Sequence, residues 1–267
     1  MSTGIGIIGG FALLITAVLM GGGARVFLNL EAIMITFGGT IAATLISYPL
    51  DRVLKFFTLV VRLFKEESQT VFENTISRLV ELGHKAYQGT IFSLEKEAKQ
   101  ENNRYLRAGL ELLVQDAPAA RIARRFAIEV EGVRSRHQEG IQLFSFMSRI
   151  APSLGLVGTL IGMINMLRGI GADVSPETLG PNMAVALVCT LYGCLLAFLL
   201  FLPASEKLKA YSVREQALIQ MICEAVLLIR DNQSGREIED TLNAYLPPKK
   251  RKAIVERLLL SMAKQRR

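Results

Sequence analysis

The chain has 267 residues and a formal net charge of +7, with about half of the residues apolar and no Trp. Its charged residues, 21% of the total, are confined to blocks, and none falls within 2–24, 32–50, 150–167 or 178–205. These windows of 18 to 28 residues reach or nearly reach across a hydrocarbon core about 30 Å thick, which excludes an ordinary soluble enzyme, and they lack the alternation of a membrane β-barrel.

The first window opens without a basic n-region and is longer than the apolar core of a secretory signal, so it reads as a retained span. Its glycines at 4, 6, 9 and 10 allow close helix packing in lipid. The second window carries Gly38, Gly39 and Thr40 and ends at Tyr48 and Pro49. The segment that follows, LDRVLKFFTLVVRLFKEE, sets Arg52, Lys55, Arg62 and Lys65 at helical spacing, with Leu54, Phe57, Val61 and Phe64 on other faces. This predicts an amphipathic helix on the cytoplasmic lipid surface, the alternative being a helix packed on its own domain.

Residues 68–146 read as helices of moderate length, broken at Gly83, at Gly89 and at Ala117 with Pro118. The stretch IEVEGVRSRHQEGIQLFSFMSRI has few breakers and is expected to run on into the third window. Beyond the fourth window, LKAYSVREQALIQMICEAVLLIRD predicts another inward helix, and the tail with its basic run at 249–252 reads as a solvated segment. The fold class is an all-α membrane protein with four transmembrane helices. Residues 1–49 hold the first two, 50–145 a cytoplasmic helical domain, 146–204 the third and fourth, and 205–267 a cytoplasmic helical tail.

Basic residues set the orientation. Fifteen Lys and Arg lie between Arg52 and Arg136 and thirteen from Lys207 onward, while only Arg25 and Arg168 fall in the two short connections. By the positive-inside rule both termini and the segment between spans two and three are cytoplasmic. The charge therefore reports orientation, and no motif points to a nucleic-acid partner. Cys189, Cys194 and Cys223 make no ligand spacing and His84 and His137 stand without a supporting cluster, so no metal site or cofactor is expected.

No nucleophile motif or phosphate loop is present, and no catalytic residue is assigned. All 24 acidic residues lie outside the apolar windows. A transported cation normally needs an intramembrane carboxylate, so a conducting assembly would take it from a partner. In APSLGLVGTLIGM, Pro152, Gly155, Thr159 and Gly162 share one helix face, and Ala186, Thr190, Gly193 and Ala197 form a second small-residue stripe. Pro152 and Pro203 remove their own N–H groups and crowd the carbonyls of Ser148 and Leu199. Either the stripes face a pore or they are plain packing, with each Thr bonded to its own preceding turn.

At these residues the sequence resembles the stator A-subunit of the bacterial flagellar motor, the MotA/PomA family. The resemblance rests on APSLGLVGTLIGM, TLYG at 190–193, LPASEKL after the fourth window, GGTIAATLISYPL in the second, and FSLE at 92–95. It implies a protein of the bacterial inner membrane that forms a homo-oligomeric ring, five in the family, around a B-subunit (MotB/PomB) supplying the membrane Asp. It further implies that inward flow of sodium or protons drives torque on the rotor protein FliG. Pro152 and Pro203 match the family's functional prolines, Thr190 its span-four Thr, and Thr159 a position where sodium-driven members carry Thr. The implied transient sodium lies near Thr159 and Thr190. Glu95 matches the acidic rotor contact, and where the family has a basic residue this sequence has Tyr87, with Lys85 as the substitute. The alternatives are a proton-driven motor of the ExbB/TolQ type, which normally has one span before its cytoplasmic domain, and a non-conducting membrane scaffold.

Overall fold

A computed structural model describes residues 2–20, 24–65, 70–169 and 176–246. The basic run at 249–252, residues 21–23 after the first window and residues 170–175 between the third and fourth lie outside the described residues. Among those described, every regular element is helical. In chain order they are α1 (Ser2–Met20), α2 (Ala24–Phe27), α3 (Leu30–Ile33), α4 (Gly39–Ser47), α5 (Leu50–Lys65), α6 (Thr70–Gln88), α7 (Glu95–Gln100) and α8 (Arg104–Val114). They continue with α9 (Ala119–Gly169), α10 (Pro176–Leu195), α11 (Leu202–Arg230) and α12 (Gly235–Leu242). Two π-helical segments, Met34–Gly38 and Leu196–Phe201, join α3 to α4 and α10 to α11 without a break.

Three stretches among the described residues are long and apolar enough to cross a membrane: Leu30–Ser47, and parts of Ala119–Arg168 and Gly180–Arg230. The chain divides into two units. One comprises Met1–Glu67 and His137–Tyr211, the other Ser68–Arg136 and Ser212–Arg267. The division falls inside α9 and α11. As the sequence predicts, the segment ahead of the third window is continuous with it, in a single helix of 51 residues that passes through Pro152.

The first unit has two buried clusters. Val53, Leu143, Phe144, Met147, Ala151 and Phe201 form one, and Ala32, Val188 and Cys189 form the other. Thr36, Thr40 and Thr44 are buried along one side of the Leu30–Ser47 stretch, and each hydroxyl donates to the carbonyl four residues back, at 2.6, 2.5 and 2.6 Å. That satisfies each hydroxyl without a partner helix, a solution suited to an apolar surround.

The second unit packs α6, α8, α12 and the flanking parts of α9 and α11 around Ile76, Leu79, Leu110, Ile122, Ile222 and Ile238. Asn103 caps α8, its Oδ1 accepting from the amides of Tyr105 and Leu106. Asp116 and Asn232 take the left-handed conformation that ends α8 and α11, with φ of 50° and 55°. The break expected at Ala117 and Pro118 occurs there, and Arg230 Nε donates to the Ala117 carbonyl at 2.8 Å. The break expected at Gly83 does not. α6 passes straight through it, because Gly83 is a packing position where a β-carbon would strike Cδ1 of Ile238.

Candidate functional site

The two small-residue stripes meet each other. A β-carbon at Gly155 would stand 2.8 Å from the Cys189 carbonyl oxygen, and one at Gly162 would stand 2.8 Å from Cβ of Ala186. One at Gly193 would stand 2.5 Å from the Ala151 carbonyl oxygen and 3.1 Å from Cα of Pro152. The glycines and alanines thus form the seam between α9 and α10, where backbones approach as small residues allow in a membrane interior. Pro152 lies on that seam.

The two threonines sit at its edge. Thr159 Oγ1 lies 3.1 Å from the Gly155 carbonyl, 3.1 Å from the Ala186 carbonyl and 2.5 Å from Thr190 Oγ1. Thr190 Oγ1 is also 3.4 Å from the Gly155 carbonyl. Four oxygens from two helices therefore converge with only two hydroxyl protons among them, which leaves lone pairs unfilled. Thr190 is exposed and Thr159 partly so, so the cluster opens outward from the seam. With no carboxylate in any apolar window, its own charge is zero.

Pro203 stands just past the π segment Leu196–Phe201. The extra residue in that turn widens the ladder where the proline ring would otherwise crowd the Leu199 carbonyl. Sequence spacing pointed to a freed carbonyl there and gave no sign of the widened turn. It also passed over Tyr192, whose hydroxyl donates to the Phe27 carbonyl and ties α10 to the end of α2. The signal was present in TLYG, where Thr190 and Tyr192 lie about 200° apart around the helix.

The structure does not bring Glu95 and Lys85 together. Glu95 is exposed and pairs with Lys99 one turn on, at 2.7 Å. Lys85 pairs with Glu97 instead, and Glu97 also takes Arg78 at 2.6 Å. Arg78 further reaches Glu81 at 3.1 Å and Glu101 at 3.4 Å, so it is the hub of the α6–α7 hairpin. Hydrogen bonds from Lys85 and then Arg78 hold the Glu97 carboxyl below the usual range, and Lys99 does the same for Glu95. Elsewhere in this unit Tyr105 donates to Glu215 at 2.6 Å, and burial followed by that carboxylate pushes its phenol up to about 12.

Residues 97–221 match the model of the MotA/TolQ/ExbB proton channel family. The chemotaxis protein PomA of Vibrio alginolyticus is 31% identical over 94% of this chain and 97% of its own length. The chain belongs to the MotA/TolQ/ExbB proton channel family. Motility protein A of Bacillus subtilis is 34% identical over 94% of this chain and 93% of its own. The flagellar MotAB stator complex from Bacillus subtilis has a chain that superposes with a TM-score of 0.86 at 31% identity, covering 95% of this chain and 99% of that one. Likeness at this level over nearly the full length sets this family member with the flagellar stator A-subunits.

Proposed function

We propose that this flagellar stator subunit forms one wall of a cation path, and that the oxygen cluster at Thr159 and Thr190 is its binding point. The observation that carries the reading is the pairing of four convergent oxygens, of which the two hydroxyls face the outside of the protomer, with spans that hold no carboxylate. A B-type partner, as in the MotAB complex that this chain resembles, supplies the missing acid from its own span. The cation is sodium or a proton. A proton needs one acceptor, whereas sodium exchanges its hydration shell for several oxygens, which the two hydroxyls and the Gly155 and Ala186 carbonyls offer.

In this reading α1, α3 with α4, the last third of α9 and α10 are four spans. Both termini and residues 50–145 and 205–267 are cytoplasmic, the whole sitting in the bacterial inner membrane. α9 leaves Leu156, Leu160 and Ile164 exposed, an apolar face suited to neighbouring copies in a ring, five in number, around the partner. A unit charge crossing 100 mV releases about 2.3 kcal/mol, which can bias a rotation step. Pro152 and Pro203 set the backbone that gates the path, and Glu95 on the cytoplasmic hairpin meets the rotor protein FliG. The second carrier of charge considered for that contact, Lys85, is the weaker partner because Glu97 already holds it.

The test is ion flux into vesicles holding the subunit with and without its B-type partner. Flux only with the partner, driven by a sodium gradient at fixed pH, is the expected result. Leakage from this subunit alone overturns the shared site, and flux that follows only a pH gradient assigns the path to protons. Pro152→Ala should remain in the membrane while abolishing motility; failure to accumulate would make that proline structural.

A further inference from the structure

From Thr190 the chain runs on through the π segment into α11 without a charged residue until Glu206. The exposed side chains along this stretch form one line. Thr190 is exposed, Cys194 is half-buried, Phe198 and Leu202 are 60% and 40% exposed, and Glu206 is exposed again. Ala197, Phe201, Ala204 and Ser205, which fall between them, are buried. Glu206 follows Thr190 by sixteen positions, which in an unbroken α-helix would set the two about 160° apart. The widened turn at Leu196–Phe201 absorbs one of those residues, so the separation falls to about 60° and both stay on one side. At 1.5 Å per residue the carboxylate lies about 24 Å along the helix from the hydroxyl.

Glu206 has no ion-pair partner among the described residues. Arg149, at the foot of the third window, and Lys209, one turn beyond Glu206, are both exposed. We propose that Glu206 is the exit carboxylate of the cation path, the charge toward which an ion released at Thr159 and Thr190 moves. Between the two points the line is apolar, since Cys194, Phe198 and Leu202 offer the ion neither charge nor oxygen. An ion crossing it meets a low dielectric, and ahead of it stand the positive charges of Arg149 and Lys209. A negative charge at the far end opposes both. Glu206 acts through its field and not by holding the ion, so it serves sodium and protons alike. The competing role is an ion pair with a basic residue of the B-type partner. The inference rests on the cation path proposed above.

The test is ion flux into vesicles holding the complete complex of this subunit with its B-type partner, with choline chloride setting the ionic strength on both sides. Flux is compared at about 0.01 M, where a charge is felt over about 30 Å, and at about 1 M, where it is felt over about 3 Å. Glu206→Gln should lower maximal flux about fivefold at low ionic strength, the factor that one unit charge supplies at contact distance in water. The external cation concentration giving half-maximal flux should not change, and at high ionic strength variant and native complexes should agree. Glu206→Asp should keep native flux, while Thr190→Ala should lose flux at both ionic strengths. Native flux in Glu206→Gln at low ionic strength overturns the proposal. So does a deficit that persists at high ionic strength, or one that follows loss of the partner on co-purification, which would assign Glu206 to an ion pair between subunits. If the native complex carries no flux, or Thr190→Ala conducts as the native complex does, the cation path itself fails, which separates the two failures.

Discussion

Gly193 lies against the carbonyl of Ala151 so closely that a β-carbon would stand 2.5 Å from that oxygen. Both neighbours are backbone in long helices and cannot turn aside. Gly193→Ala should therefore force α9 and α10 apart at a cost of about 1–3 kcal/mol. The check is the midpoint of thermal unfolding of the detergent-solubilised subunit, together with swimming. Both should fall, while Gly9→Ala, where a β-carbon meets nothing within 4 Å, changes neither midpoint nor accumulation. Equal midpoints for the two variants would refute a tight seam.

The threonine pair separates stability from transport. Hydrogen bonds between membrane helices contribute about 0.6 kcal/mol on average. Thr159→Ala and Thr190→Ala, alone or together, should thus leave unfolding nearly unchanged and lower ion flux at least tenfold. The loss in the double variant should be less than the product of the single losses, since both hydroxyls serve one cluster. Undiminished flux in the double variant would leave the pair with a packing role only.

In the cytoplasmic unit, Glu97 and not Glu95 should be the residue that stabilises the hairpin. Glu97→Gln leaves Lys85 and part of Arg78 without a carboxylate, at a cost of about 1–2 kcal/mol. Because the folded carboxyl titrates below its unfolded value, that contribution is complete above the ordinary carboxylate range and is lost as the pH falls through the folded value. The gap in unfolding free energy between native chain and variant should be full at pH 7 and shrink progressively once the pH falls below the ordinary glutamate value of about 4.3. Glu95→Gln, on an exposed side chain, should leave unfolding unchanged while altering torque. A gap that does not vary with pH would contradict the ion-pair account.

Tyr105→Phe removes the donor that Glu215 accepts and should cost about 1–3 kcal/mol at neutral pH. The pH dependence has the opposite sense to that of Glu97. A phenol raised to about 12 in the folded chain adds stability that is whole below its ordinary value near 10. That stability is lost as the pH rises through the folded value. Unfolding followed from pH 8 to alkaline pH should show the native chain losing its advantage over Tyr105→Phe. Parallel curves would mean that the phenol is no better placed folded than unfolded.

The long apolar helices and the continuity of α9 were legible because charge-free windows and an absence of breakers are local properties of the sequence. The stripes were legible as faces, but periodicity says which residues share a side and not what that side meets. Gly155, Gly162 and Gly193 turned out to meet the opposite stripe, and only the two hydroxyls at its edge remain open. Gly83 was misread for a related reason: a glycine that admits Ile238 and a glycine that ends a helix look alike until the partner is known. Lys85 and Glu97 are twelve positions apart across a turn, and nothing local distinguishes Glu97 from Glu95 as the partner.

The widened turns at Met34–Gly38 and Leu196–Phe201 each accommodate one residue more than an ordinary helix would. Deleting one residue there restores a normal turn and keeps the helix on either side in register with its neighbours. The same deletion between Pro152 and Thr159 rotates the remainder of that helix by about 100° and carries Thr159 away from Thr190. Among chains of this fold, single-residue gaps within the membrane helices should therefore gather at these two turns, and a gap there leaves the cation path aligned.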